Sequence, residues 1–176
     1  MEILIIGGIL VALMVVVSTK IKNSAARAFE REIIETENFR LVKPDGFVNP
    51  IRDVSEFAFE AYSKEFGEKS ERNIWKAQAY LTVSSGLNFA VACKKARQEA
   101  GKILSEKVLK DAPEGEKICF IESEKSENEV KFYEFRKIVE SRKQQKTYDL
   151  KISILKAFRD DYVSRVDELM NSFELK

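Results

Sequence analysis

Histidine is missing from the sequence altogether. Its absence excludes Ser-His-Asp and Cys-His nucleophile activation, HExxH zinc sites and imidazole pH switches, and with them the commonest hydrolase chemistries. A surplus of either charge is missing too. The 176 residues carry 30 Lys plus Arg against 29 Asp plus Glu, which argues against broad nucleic-acid binding, where a strong basic excess is usual. Cysteine is scarce: Cys93 and Cys119 stand 26 positions apart, neither a CxxC pair nor a metal-ligand spacing. They read as buried core thiols, because free cysteine behaves as a small hydrophobe, and a disulfide between them requires an oxidising compartment. Glycine-rich phosphate loops are absent, and the acidic run through Glu114, Glu116, Glu122, Glu124, Glu127 and Glu129 lacks the DxDxDG spacing of a calcium loop. No cofactor and no metal is expected.

What is present is one long apolar run. From Ile3 to Val17 there is no polar side chain, and Ser18 and Thr19 extend the uncharged stretch to 17 residues before Lys20. At ~1.5 Å rise per residue such a helix just reaches across a ~30 Å hydrocarbon layer. Residues 1–19 are therefore expected to be a transmembrane anchor, touching the lipid bilayer through residues 3–19. A secretion signal carries its basic residues before the apolar core. Here Glu2 is the sole charge before it, while Lys20, Lys22 and Arg27 follow. Because positive flanks stay on the cytoplasmic side, the expectation is a single-pass protein of the cell membrane with a cytoplasmic body. The alternative is an exported, periplasmic body with the segment serving as its signal.

Residues 20–37 are rich in helix formers, with Ile21, Ala25, Ala28, Phe29 and Ile33 at three-to-four spacing, and predict a helical juxtamembrane stalk. Residues 38–176 predict one folded domain. Phe39-Arg-Leu-Val-Lys runs into a Pro44-Asp45-Gly46 turn, a strand ending in a corner. A helix is expected next, opened by Asp53 or Ser55 and closing near Gly67, with Val54, Phe57, Ala58, Ala61 and Tyr62 on one face. Residues 73–85 alternate cleanly as a strand, and residues 88–104 place Phe89, Cys93, Ala96, Ala100 and Ile103 on one helical stripe. Strands follow at 118–123, 130–141 and 147–156, joined by polar turns at 124–129 and 142–146. Phe158, Tyr162, Val166, Leu169 and Phe173 mark a closing amphipathic helix from Arg159. The order predicts an α+β fold with an antiparallel sheet of about five to six strands and helices packed on it.

The opening FRLVKPDGF resembles the aromatic-x-aliphatic-x-Pro-x-Gly-aromatic start of PsbP-like domains, and the ending YVSRVDELMNSFELK is similar to their terminal helix with its Ser-Phe close. The superfamily includes the photosystem II extrinsic subunit, DcrB-type envelope proteins and Ran-binding Mog proteins. The resemblance covers residues 39–176 and implies a non-catalytic domain that docks on or helps assemble larger complexes. The sequence departs from exported members in lacking a lipobox cysteine and a basic signal region.

Carboxylates are plentiful, yet Asp160 and Asp161 on the last helix are adjacent, about 100° apart, and do not converge. The balanced charge is segregated. Lys94 to Lys110 has six basic residues and two acids, Lys131 to Lys151 seven and three, and Asp111 to Glu129 seven acids against two lysines. Lys94, Lys95, Arg97 and Lys102 on the outside of one helix, with Arg142, Lys143 and Lys146 on one hairpin, are the candidate interaction surface. Anionic lipid headgroups are one partner it suits, at about 1 kcal/mol per lysine near an anionic leaflet. The function expected is an anchored, non-enzymatic interaction or scaffold domain with an unidentified protein partner. Two other readings remain: a small-ligand-binding domain or carboxylate-based hydrolase, and an exported PsbP- or DcrB-like envelope protein.

Overall fold

The computed structural model describes residues 2–50, 55–68, 71, 73–110, 112 and 115–176, with side chains described from residue 10 onward. Helix α1 spans Glu2–Ala28, followed by strands β1 (Glu32–Glu35), β2 (Phe39–Lys43), β3 (Phe47–Val48), β4 (Phe59–Ser63) and β5 (Ala77–Ser85). Helix α2 (Phe89–Glu99) leads into β6 (Lys102–Leu109), β7 (Lys117–Glu127), β8 (Val130–Ser141) and β9 (Lys146–Leu155). A short 3-10 turn, helix α3 (Arg159–Ser172) and β10 (Glu174–Leu175) end the chain.

Every strand pairing is antiparallel. Seven strands form one sheet in the order β3-β4-β5-β9-β8-β7-β6, and β1-β2-β10 form a small second sheet. The α+β expectation holds, with more strands than anticipated. Along β5, Ala77, Ala79 and Leu81 are fully buried and lie opposite Ile154, Ile152 and Leu150 of β9. Tyr162, Val166 and Leu169 of α3 lie over this face, and Phe39 of β2 meets Phe173 and Tyr148 edge-on at centroid distances of 6.1 and 6.3 Å. Period-two and period-3.6 stripes here bury each other, which is what the residue spacing prepares them to do. On the opposite face α2 sets Phe89, Ala92, Cys93 and Ala96 against Cys119, Ile121 and Ile138.

Several expectations give way. The stalk helix stops at Ala28, and residues 32–35 are a strand; buried Lys43 donates to Ala28 O at 2.8 Å and pairs with Glu32 at 3.1 Å, turning the chain onto β2. The helix expected before Gly67 is instead β4, while its opening residues 51–54 lie outside the described residues. Phe57 and Ala61 share a face in a strand as well as in a helix, and pairing decides: Phe59 lies opposite Leu81 and Ala61 opposite Ala79. Helix α2 ends at Glu99 rather than Leu104, because Gly101 approaches Glu124 O so closely that a Cβ there would sit 2.3 Å from it. Residues 102–109 therefore leave as a strand. The turn expected over 124–129 shrinks to Asn128 and Glu129, with φ of 49° and 68°, the left-handed pair of a two-residue hairpin whose twist suits its strands.

Along α1 the side chains from Leu10 to Val17 are exposed, Met14 to 71%. Among the described residues no helix is long and apolar enough to cross a membrane. The side chains of residues 3–9, the first part of the expected anchor, lie outside the described residues.

Candidate interaction surface

The basic residues singled out by sequence are divided by the fold. Lys94 and Lys95 point outward from α2, Lys95 standing 3.8 Å from Glu99. Arg97 is committed to Glu106 of β6, with Nη2 at 2.5 Å and Nε at 2.8 Å, and holds that carboxyl below its ordinary range. Lys102 is not on a helix at all; it opens β6, opposite Glu124. Arg142 and Lys143 sit exposed in the β8–β9 turn, and Lys146 points back to Asn38, 3.4 Å from its Oδ1.

Arg142 is brought to the start of α2. It shares a cavity of about 410 Å³ with Asn88, Phe89, Ala90, Lys110 and Lys117. Lys110 closes the Lys94–Lys110 basic run and Lys117 stands inside the acidic stretch, so neither is grouped with the hairpin by sequence; sheet order sets both beside the β8–β9 turn. The first-turn amides of α2 are already engaged: Asn88 caps Ala90 N–H at 2.8 Å, and Glu140 accepts Phe89 N–H at 3.0 Å. Glu140 also takes Lys117 at 2.6 Å. The Lys117 ammonium, with the Phe89 amide, holds the Glu140 carboxyl below its usual range.

Beneath α2 the two thiols are free and buried. A hydrogen bond from Cys119 pulls the Cys93 thiol down, and the same contact, with burial, pushes Cys119 up. Beyond α2, over β4 and β5, the outward face of the sheet carries the half-buried Tyr62, Gln78 and Tyr80. An unbroken aromatic row lies there: Phe66 stacks on Trp75 at 3.9 Å, Trp75 on Tyr62 at 5.3 Å, and Tyr80 packs against Phe57 at 4.6 Å. Burial and the bond it donates to Glu60 raise the Tyr62 hydroxyl above its ordinary value. The spacing that places Phe57 and Tyr62 on a helix face hides the row.

On the other face the Lys137 ammonium is buried under the end of α3 and donates to Met170 O and Phe173 O, both at 2.8 Å. Its cation satisfies helix C-terminal carbonyls and meets the negative end of the helix dipole, while burial lowers its proton affinity. Carboxylates elsewhere are tied to cations rather than gathered in a cleft: Glu122 with Arg159 at 3.4 Å, Glu124 with Lys156 at 3.0 Å, and Asp149 and Glu99 with Arg136. Among the described residues no group of His, Cys, Asp or Glu is placed to hold a metal ion.

No protein-family model and no curated protein matches the chain. Solved structures do. LpqN of Mycobacterium tuberculosis, described as involved in cell envelope biogenesis, superposes with a TM-score of 0.58 at 9% identity, over 84% of this chain and 91% of that one. The Ran-binding protein Mog1p of Saccharomyces cerevisiae gives 0.52 at 11% identity, over 84% and 96%. A cyanobacterial PsbP from Synechocystis aligns at 0.40 and 11% identity, over 84% and 92%; the first two carry the argument. At such identities the likeness is one of fold alone, and the chain shares the fold of LpqN and Mog1p.

Proposed function

We propose that the protein is a single-pass, membrane-anchored interaction or assembly domain, non-catalytic, with its body in the cytoplasm. The observation that carries this reading is α1: the apolar side chains from Leu10 to Val17 are exposed around the helix, and the core clusters take in none of them. A helix apolar all round suits lipid better than water. The basic residues after the run, Lys20, Lys22 and Arg27, favour retention of the body on the cytoplasmic side. For the body, support comes from carboxylates neutralised in pairs and from two open surfaces, the basic concavity at Lys110, Lys117 and Arg142 and the aromatic row on β4 and β5. Anionic headgroups suit the first and a protein partner the second. Mog1p, described as Ran-binding, has the same fold, which supports a partner-docking role in general.

Reporter fusions at Lys176 test the reading. A C-terminal green fluorescent protein is expected to fluoresce and alkaline phosphatase to stay inactive, with the chain in the membrane fraction at full mass. Active phosphatase with loss of the N-terminal ~20–25 residues, the length of a cleaved signal, would replace it with an envelope domain, the reading that the likeness to LpqN favours.

A further inference from the structure

The large sheet has two unlike edges. β3 is two residues long, whereas β6 is eight residues long and all its side chains are exposed. The buried cluster under α2 ends at Cys119 and Ile121 of β7, leaving Ile103, Leu104, Val108 and Leu109 of β6 between 37% and 41% exposed. An open edge with apolar side chains invites another strand, and proteins blunt such edges with lysines and bulges. Both devices are present here. A register shift falls between Ile103 and Ser105, and Lys102 and Lys107 project from the strand, with Lys110 just past its end.

From Ser105 to Leu109 the ladder is regular. Lys107 lies opposite Phe120 and Leu109 opposite Ile118 on the α3 side of the sheet, while Glu106 and Val108 face the α2 side. Arg97 neutralises Glu106. Lys107 and Lys110 form no ion pair among the described residues, and Lys102 stands opposite Glu124, which Lys156 already pairs at 3.0 Å, so the edge is cationic. Two copies paired edge to edge would crowd their lysines together, and like charges across a ladder destabilise it. A strand with carboxylates at alternate positions would gain at the same places.

We propose that β6 is a strand-addition site for an extended, acidic segment of a partner protein, in which carboxylates alternate with apolar residues. Main-chain hydrogen bonds along Ser105–Leu109 supply affinity; Lys102, Lys107 and Lys110 select for acid and against self-pairing. This gives the partner of the proposed interaction role a chemistry and rests on that role. Anchoring and orientation are read separately by the reporter fusions.

The test uses the full chain in detergent micelles and a fluorescein-labelled dodecapeptide alternating glutamate and valine. Fluorescence anisotropy should show saturable binding, and hydrogen exchange should slow at the amides of residues 102–109. The triple variant K102E/K107E/K110E is expected to lose at least tenfold in affinity for this peptide and to gain affinity for one alternating lysine and valine. If the triple variant loses its fold by circular dichroism, K107E alone carries the comparison, with a smaller loss of the same sign. Binding unchanged by charge reversal, protection that leaves residues 102–109 untouched, no binding at all, or concentration-dependent self-association that protects β6 would each overturn the proposal.

Discussion

The Arg136 guanidinium lies buried between strands against Asp149, Nε to Oδ1 at 3.2 Å and Nη2 to Oδ2 at 2.5 Å, with Glu99 of α2 at 2.7 Å from Nη1. A forked cation satisfied on two sides ties β8, β9 and α2 together, and its worth lies in being fully paired. D149N keeps the shape but leaves the guanidinium one charged partner. Loss of a hydrogen bond to a charged group costs about 1.5–3 kcal/mol; urea denaturation is expected to show a shift of that size, with the slope unchanged.

Lys137 ties pH to stability. Burial lowers its proton affinity in the folded state, so between that lowered value and the ordinary lysine value the unfolded chain holds the proton more often than the folded one. Unfolding free energy then rises with pH across this window. K137M removes the titrating group. The difference in stability between the wild type and K137M, followed from pH 7 to pH 10.5, is expected to move in favour of the wild type as pH rises; a difference independent of pH would refute the assignment.

Gly101 has no room for a methyl group, since a Cβ would meet Glu124 O at 2.3 Å and Lys125 Cα at 3.0 Å. G101A must push β6 away from β7 at its first residues. Overpacking of this kind costs about 1–3 kcal/mol. Thermal melting should report the loss, and hydrogen exchange should speed up first at residues 102–105.

Phe173 packs edge-on against Phe39 and at a tilt against Tyr148, and is only 2% exposed. It joins α3 to both sheets. F173A is expected to cost about 3–5 kcal/mol in denaturant unfolding, with the β10–β2 pairing lost alongside.

Much of the fold was legible because several segments carry one period and one partner. Residues 77–85 and 146–155 alternate in sequence over long runs, and Tyr162, Val166 and Leu169 mark a helix without ambiguity. Residues 57–62 misled because spacing of four fits either period. Residues 102–109 misled because an exposed edge strand shows no buried face, so Ile103 was read as the end of a helical stripe.

The candidate surface was legible by residue type but not by grouping. Arg142 meets Lys110 and Lys117 only because β8 pairs with β7, while Lys95 pairs within α2 and Arg97 with Glu106. Composition alone determined the absence of imidazole chemistry, the balance of charge and the apolar run at the N-terminus, since these depend on which residues exist. Strand neighbours, the aromatic row on β4 and β5, the buried Lys137 and the cationic edge at β6 were decided only by tertiary structure. Those depend on pairings between segments far apart in the chain, which local periodicity does not encode.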